Sequence, residues 1–201
     1  MYKAKSCSEN IAKLISVVFS AFFIALISFL CLSMYFNANW GVFLVSIVFS
    51  TIFPLVGMIF DLKYIKKSRD VEYSNSSDRG ILFLFCSGSY LLGVLFLILL
   101  FAPIWIIILM AAYCVNTFIT FLINKRFKIS VHAIGFVGPL TILWLALGNI
   151  MLFYFVFIIP IAWARRKLKK HTRLQIIAGV VFGIIATMIQ AEIYLYLFAL
   201  I

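Results

Sequence analysis

His132 and His171 are the only histidines in the 201-residue chain, and each stands beside groups suited to an anion. Ser130 lies two positions before His132, and Arg165 lies six before His171. A neutral imidazole nitrogen can attack phosphorus, and a protonated one can give its hydrogen to a departing alkoxide. A guanidinium grips phosphate through a planar fork of donors. This set fits phosphate-ester chemistry, with His171 as nucleophile, His132 as general acid, and Arg165 and the helix start at Ser130 holding the phosphate. Gln175 follows His171 by one helical turn, on the same face. Its carbonyl oxygen is placed to accept the second ring N–H and orient the nucleophile. Ser130 is equally a good helix N-cap, and capping alone accounts for it.

The elements that must position these residues are membrane helices. Apolar residues make up 66% of the chain and charged residues 11%, far from the composition of a soluble domain. A helix needs about 20 apolar residues to cross the hydrocarbon core, and about seven stretches qualify. They run roughly over 12–36, 40–60, 80–100, 102–122, 131–147, 149–163 and 173–200. Backbone groups in lipid must be satisfied internally, which selects helices. The expectation is an all-α, polytopic transmembrane bundle forming one integral-membrane domain over 1–201. The apolar run after Lys3 and Lys5 is too long for a signal peptide and reads as an anchoring first span.

All 17 lysines and arginines precede or open the first span, or follow the second, fourth and sixth, the last of them at the start of the seventh. Seven spans put every one of these segments on one side, while the turns around Asn37–Asn39, Phe101–Pro103 and Gly148–Asn149 carry no charge. The positive-inside rule makes the basic face cytoplasmic, in a multi-pass protein of the cell membrane. Basic loops also attract phosphate headgroups, so an active face is a competing cause. The polar segment 61–79 reads as a lid over that face or as a solvated connector. Cys7, Cys31, Cys86 and Cys114 have no metal-like spacing and read as reduced packing residues.

Lys128-Ile129-Ser130-Val131-His132, followed by Arg165-x5-His171-Thr172-x2-Gln175-x2-Ala178-Gly179, resembles the second and third signature motifs of the type 2 phosphatidic acid phosphatase superfamily, in a divergent prokaryotic branch. The resemblance covers about residues 61–188. It implies a six-helix phosphatase-like core plus one extra span, a phosphohistidine intermediate on His171, a general acid at His132, a phosphate held by Arg165, Ser130, Arg79 and Lys128, and no metal or other cofactor. It also implies a lipid phosphate or isoprenyl (di)phosphate as substrate. The partners expected are that substrate and membrane lipids, not nucleic acid. Several positions depart from the pattern: Ile129 replaces a proline, Val131 a glycine, Ala164 a serine, Gln175 an aspartate, Glu72 the first-motif lysine and Gly80 its proline, with Arg79 the best first-motif arginine and Lys66, Lys67 or Arg69 of the loop as substitutes for the lysine. These departures sustain a second reading, a catalytically inactive lipid-phosphate binder or scaffold of the same fold.

Gly179-x3-Gly183, Ser89-x3-Gly93 and Gly135 with Gly138 read as close-packing helix faces. Ionisable groups within spans mark transporters, and only Glu192 falls there. Prenyl or CDP-alcohol transfer needs clustered aspartates, whereas Asp61, Asp70 and Asp78 are not paired in spacing.

Overall fold

The computed structural model describes residues 7–65 and 80–200. The described residues are helical, with no strand among them. Among the described residues, five helices are long and apolar enough to cross a membrane, and six spans result if a bent N-terminal pair counts as one. The helix over Val131–Leu147 has 17 residues and falls just short of that length.

The apolar run expected as a first span is two helices, α1 (Cys7–Val18) and α2 (Ala21–Tyr35), bent by 44°. Ser20 causes the break. It adopts an extended conformation and its side chain caps the Phe23 N–H, so α2 starts afresh inside an apolar stretch.

The second span, Trp40–Lys63, opens at Asn39, whose Oδ1 accepts the Val42 N–H at 2.9 Å. It comprises α3 (Trp40–Ile47), a π-turn (Val48–Ile52), α4 (Phe53–Phe60) and a second π-turn (Asp61–Ile65). Pro54 explains the first π-turn, since it has no N–H to donate and its ring crowds the carbonyl one turn back. Ser89 of the next helix donates to the Phe49 carbonyl at 2.7 Å, supporting the widened turn from outside.

The helices α5 (Gly80–Leu99) and α6 (Ile104–Asn124) form an extensive antiparallel pair. Cys114 Sγ donates to the Ser87 carbonyl and Ser87 Oγ to the Cys114 carbonyl, at 3.3 and 3.0 Å. All four cysteines are free thiols.

α7 (Val131–Leu147) is followed by a 3₁₀ stretch (Asn149–Phe157), α8 (Ile158–Lys167) and α9 (Arg173–Ala199). The sixth apolar run is therefore 3₁₀ over its first nine residues. Gly148 joins it to α7 at φ +96°, a conformation that suits glycine.

α9 lies close along α7. A Cβ on Gly179 would stand 2.9 Å from the Ser130 carbonyl oxygen, and one on Gly183 would stand 2.6 Å from Val137 Cγ2. The small-residue spacing in α9 is thus a helix-contact face, as the sequence predicts. Phe29, Leu32, Leu97, Ile106, Val137 and Ile142 are among the residues of the apolar core.

Candidate functional site

The site gathers where α7 begins, α8 ends and α1 stops. Ser130 is the N-cap of α7, with Oγ accepting the Ala133 N–H at 3.4 Å, and it is fully buried. Its own N–H donates to the Gln175 carbonyl at 3.2 Å, tying the starts of α7 and α9 together. His132, half-buried one residue into α7, therefore projects from a doubly anchored helix end.

At the end of α8 the chain turns through a Schellman motif. The Lys169 N–H donates to the Arg166 carbonyl at 2.9 Å, the Lys170 N–H donates to the Arg165 carbonyl at 3.0 Å, and Lys169 takes φ +54°. This turn delivers His171, buried at 7% exposure, to the position just before α9. Thr172 and Gln175 then close a capping box: Thr172 Oγ1 accepts the Gln175 N–H at 3.3 Å, and Gln175 Oε1 accepts the Thr172 N–H at 3.0 Å. Gln175 thus has a capping task, which differs from the ring-orienting task read from its spacing.

Arg165 is 1% exposed, and its Nη1 donates to Ser16 Oγ at 3.3 Å. His132 Nε2 lies 3.2 Å from the Ser16 carbonyl oxygen. A carbonyl only accepts, so Nε2 carries the hydrogen in this contact. The two groups meet on one residue that the motif spacing did not single out.

The bend after α1 explains why Ser16 is available. Phe19 N–H donates to the Ile15 carbonyl and Ser20 N–H to that of Val17. In an unbroken helix the Ser20 N–H would reach Ser16. The break leaves the Ser16 carbonyl as a helix-end acceptor, and His132 takes it.

Ser16, His132 and Arg165 line one cavity of about 510 Å³, most of whose wall is apolar, including Phe22, Leu26 and Met58. Tyr113, Asn116, Thr117 and Thr120 line it from α6. These lie at i, i+3, i+4 and i+7, a single helix face. That spacing was legible in the sequence and marks a polar stripe within an apolar helix.

His132 and Arg165 are brought together; His171 is not among the residues lining the cavity. Lys128 is half-buried in the turn between α6 and α7. Arg79, and with it Lys66, Lys67 and Arg69, lies outside the described residues. Among the described residues no three His, Cys, Asp or Glu side chains are grouped to hold a metal ion.

Comparisons of the chain with protein-family models, with curated proteins and with solved structures find no match.

Proposed function

We propose that this chain is a multi-pass membrane phosphatase acting on a lipid phosphate or lipid diphosphate. The observation that carries the reading is the convergence of a buried arginine and a histidine at an apolar-walled cavity. Such a cavity takes hydrocarbon, while the guanidinium takes an anionic head. In this reading the chain has about seven spans, taking α1 with α2 as one and adding the shorter α7 to the helices long enough to cross. The basic ends face the cytoplasm.

In this reaction a ring nitrogen of His171 attacks phosphorus with its lone pair, forming an N–P bond as the ester P–O bond breaks. His132, protonated as an imidazolium, gives a proton to the leaving alkoxide and becomes neutral. Water then attacks the phosphohistidine with His132 accepting its proton, which releases inorganic phosphate and restores both rings.

Phosphate release from short-chain phosphatidic acid and prenyl phosphates, with no divalent metal added, tests the activity. His171→Ala should abolish release and remove the acid-labile phosphate trapped on the wild-type chain. His132→Ala should slow alkyl esters by about 10²–10⁴-fold and aryl esters less, because an aryl oxide needs little protonation. Equal losses on both would remove His132 from the acid role. For orientation, a single cysteine at Lys167 should be shielded from an impermeant thiol reagent in intact cells, while one at Ala38 should label.

A second reading is a binder of lipid phosphate that does not hydrolyse it. The capping task of Gln175 and the position of His171 off the cavity wall favour it. Binding without phosphate release would decide for the binder.

A further inference from the structure

We propose that α1 is a self-inhibitory lid, with Ser16 occupying the two acceptor positions that a phosphate head takes when it binds. The inference rests on the phosphate reading of Arg165 and His132.

Both Ser16 atoms that face the site are acceptors: Oγ receives from Arg165 Nη1 and the carbonyl oxygen from His132 Nε2, at 3.3 and 3.2 Å. Two oxygens presented to a guanidinium and an imidazole N–H are what a phosphate monoester would present. The serine oxygens are neutral and their bonds long. Phosphate oxygens are anionic, and bonds from Arg or His to such an acceptor are shorter and roughly twice as strong. A phosphate therefore competes favourably for the same donors.

α1 is built to give way. It is joined to α2 through the break at Phe19–Ser20, bent by 44°, and α8 is its principal neighbour. Its outer face exposes Ile11, Leu14, Val17 and Val18. Ser16 and Val17 form part of the cavity wall together with Ser20 and Ala21 just past the hinge. Swinging α1 about that hinge opens the head end of the cavity and leaves α2 in the bundle.

The test uses the full chain in lipid nanodiscs and two non-hydrolysable probes, the phosphonate analogues of phosphatidic acid and of a prenyl phosphate. Diacylglycerol serves as the head-free control. The probe that binds wild type is carried forward. Ser16→Ala should bind it on the order of tenfold more tightly, what one hydrogen bond to a charged group is worth. Ser16→Asp, which holds a carboxylate against Arg165, should bind it at least tenfold more weakly. Arg165→Ala should lose the preference for phosphonate over diacylglycerol. In a cysteine-free chain that keeps Ser16, spin labels at Leu14 and Ile159 should move apart when the probe is added and not with diacylglycerol.

If wild type binds, Arg165→Ala loses the preference and Ser16→Ala is equal to or weaker than wild type, the lid is refuted and the phosphate site stands. An unchanged label distance at saturating probe refutes the lid even if Ser16→Ala proves unstable. If neither probe is preferred over diacylglycerol by wild type, the phosphate reading falls and the lid with it.

Discussion

Two clusters of buried polar side chains sit in this bundle, and they are satisfied differently. Midway along α6 and α9, Asn116 Nδ2 donates to Thr187 Oγ1 at 2.8 Å, and Gln190 Nε2 donates to Asn116 Oδ1 at 2.8 Å and to the Ala186 carbonyl at 2.9 Å. Neutral amides and a hydroxyl answer one another there through short bonds. At the basic end, Arg165 and His132 each reach one oxygen of Ser16, through longer bonds. In the mid-span set Gln190 Oε1 stays buried without a hydrogen-bond partner, yet the three interhelical and local bonds lock the helices together, because opening would leave further amide groups unsatisfied in an apolar surrounding. A guanidinium and an imidazole N–H bond an anionic oxygen more strongly than they bond the neutral oxygens of Ser16. The first cluster is built to stay, and the second is built to exchange.

Arg165→Ala breaks that contrast at its strongest point. Lipid-phosphate binding should fall by about 10²-fold, the scale of a lost bond between two charged groups, measured against diacylglycerol. Arg165→Lys should recover little, since an ammonium cannot reproduce the planar fork. Recovery by lysine to within a few-fold would show that only charge matters at this position.

How far the sequence discloses these two regions follows from the range of the forces involved. The α7 bounds were legible because Ser130 is a strong local cap before an apolar run, and the start of α9 because Thr172 and Gln175 sit at capping-box spacing. The glycine face of α9 was legible as a small-x3-small pattern. The bend inside 12–36 was not: hydropathy is uniform across Phe19–Ser20, and a single serine side chain supplies the cap that ends continuity. The 3₁₀ character of Asn149–Phe157 was also missed, because apolarity sets length across a bilayer and says little about helix type. Ser16 was out of reach, as it meets His132 across 116 positions and Arg165 across 149. The Asn116 partners lie 71 and 74 residues away, although three amide and hydroxyl side chains within apolar helices were a signal that partners had to exist. His171 and Gln175 show the reverse case. Their spacing fits an oriented nucleophile, yet the glutamine oxygen serves the helix start.

Gly179 links the site to the bundle, and its substitution should act on both. An added Cβ meets the Ser130 carbonyl oxygen at 2.9 Å and Ala133 Cβ at 3.1 Å, and backbone cannot yield as a side-chain tip can. Gly179→Ala should cost about 1–3 kcal/mol in detergent unfolding and weaken lipid-phosphate binding by shifting the start of α7. Gly88→Ala is the control, since nothing lies within 4 Å of its Cβ position. A Gly179→Ala protein as stable and as tightly binding as Gly88→Ala would mean that α7 and α9 part without consequence.

The locking role of the mid-span cluster is a smaller effect and needs a double-mutant cycle. Asn116→Ala and Gln190→Ala should each destabilise the bundle, with a coupling energy of about 0.6 kcal/mol, the average for hydrogen bonds between membrane helices, and no more than about 1.7 kcal/mol. Gln190→Ala should not alter the preference for phosphonate over diacylglycerol, whereas Asn116 lines the cavity and serves in the stability cycle only. A change in that preference for Gln190→Ala, which is remote from Ser16, would show that the two regions are not separate in function.

The smallest effect concerns the turn that presents His171. Lys169 adopts φ +54° and Phe101 φ +51°, each at the left-handed position of a Schellman motif that usually holds glycine. An L side chain there is strained, while glycine brings extra unfolded-state freedom that offsets part of the relief. The net gain for either glycine variant should be about 0.5 kcal/mol, or roughly 1–2 °C in melting temperature for a chain of this size. Phe101 is 94% exposed at the uncharged end, so Phe101→Gly reports the backbone term alone. Lys169→Gly carries the same backbone term and also removes a cation four residues past Arg165. If both variants gain stability equally and bind lipid phosphate like wild type, Lys169 is a turn residue whose charge the site does not use. A comparable gain in Lys169→Gly with binding several-fold weaker would place its ammonium in the field that draws the phosphate head in, and the exchanging region would extend along the turn that carries His171.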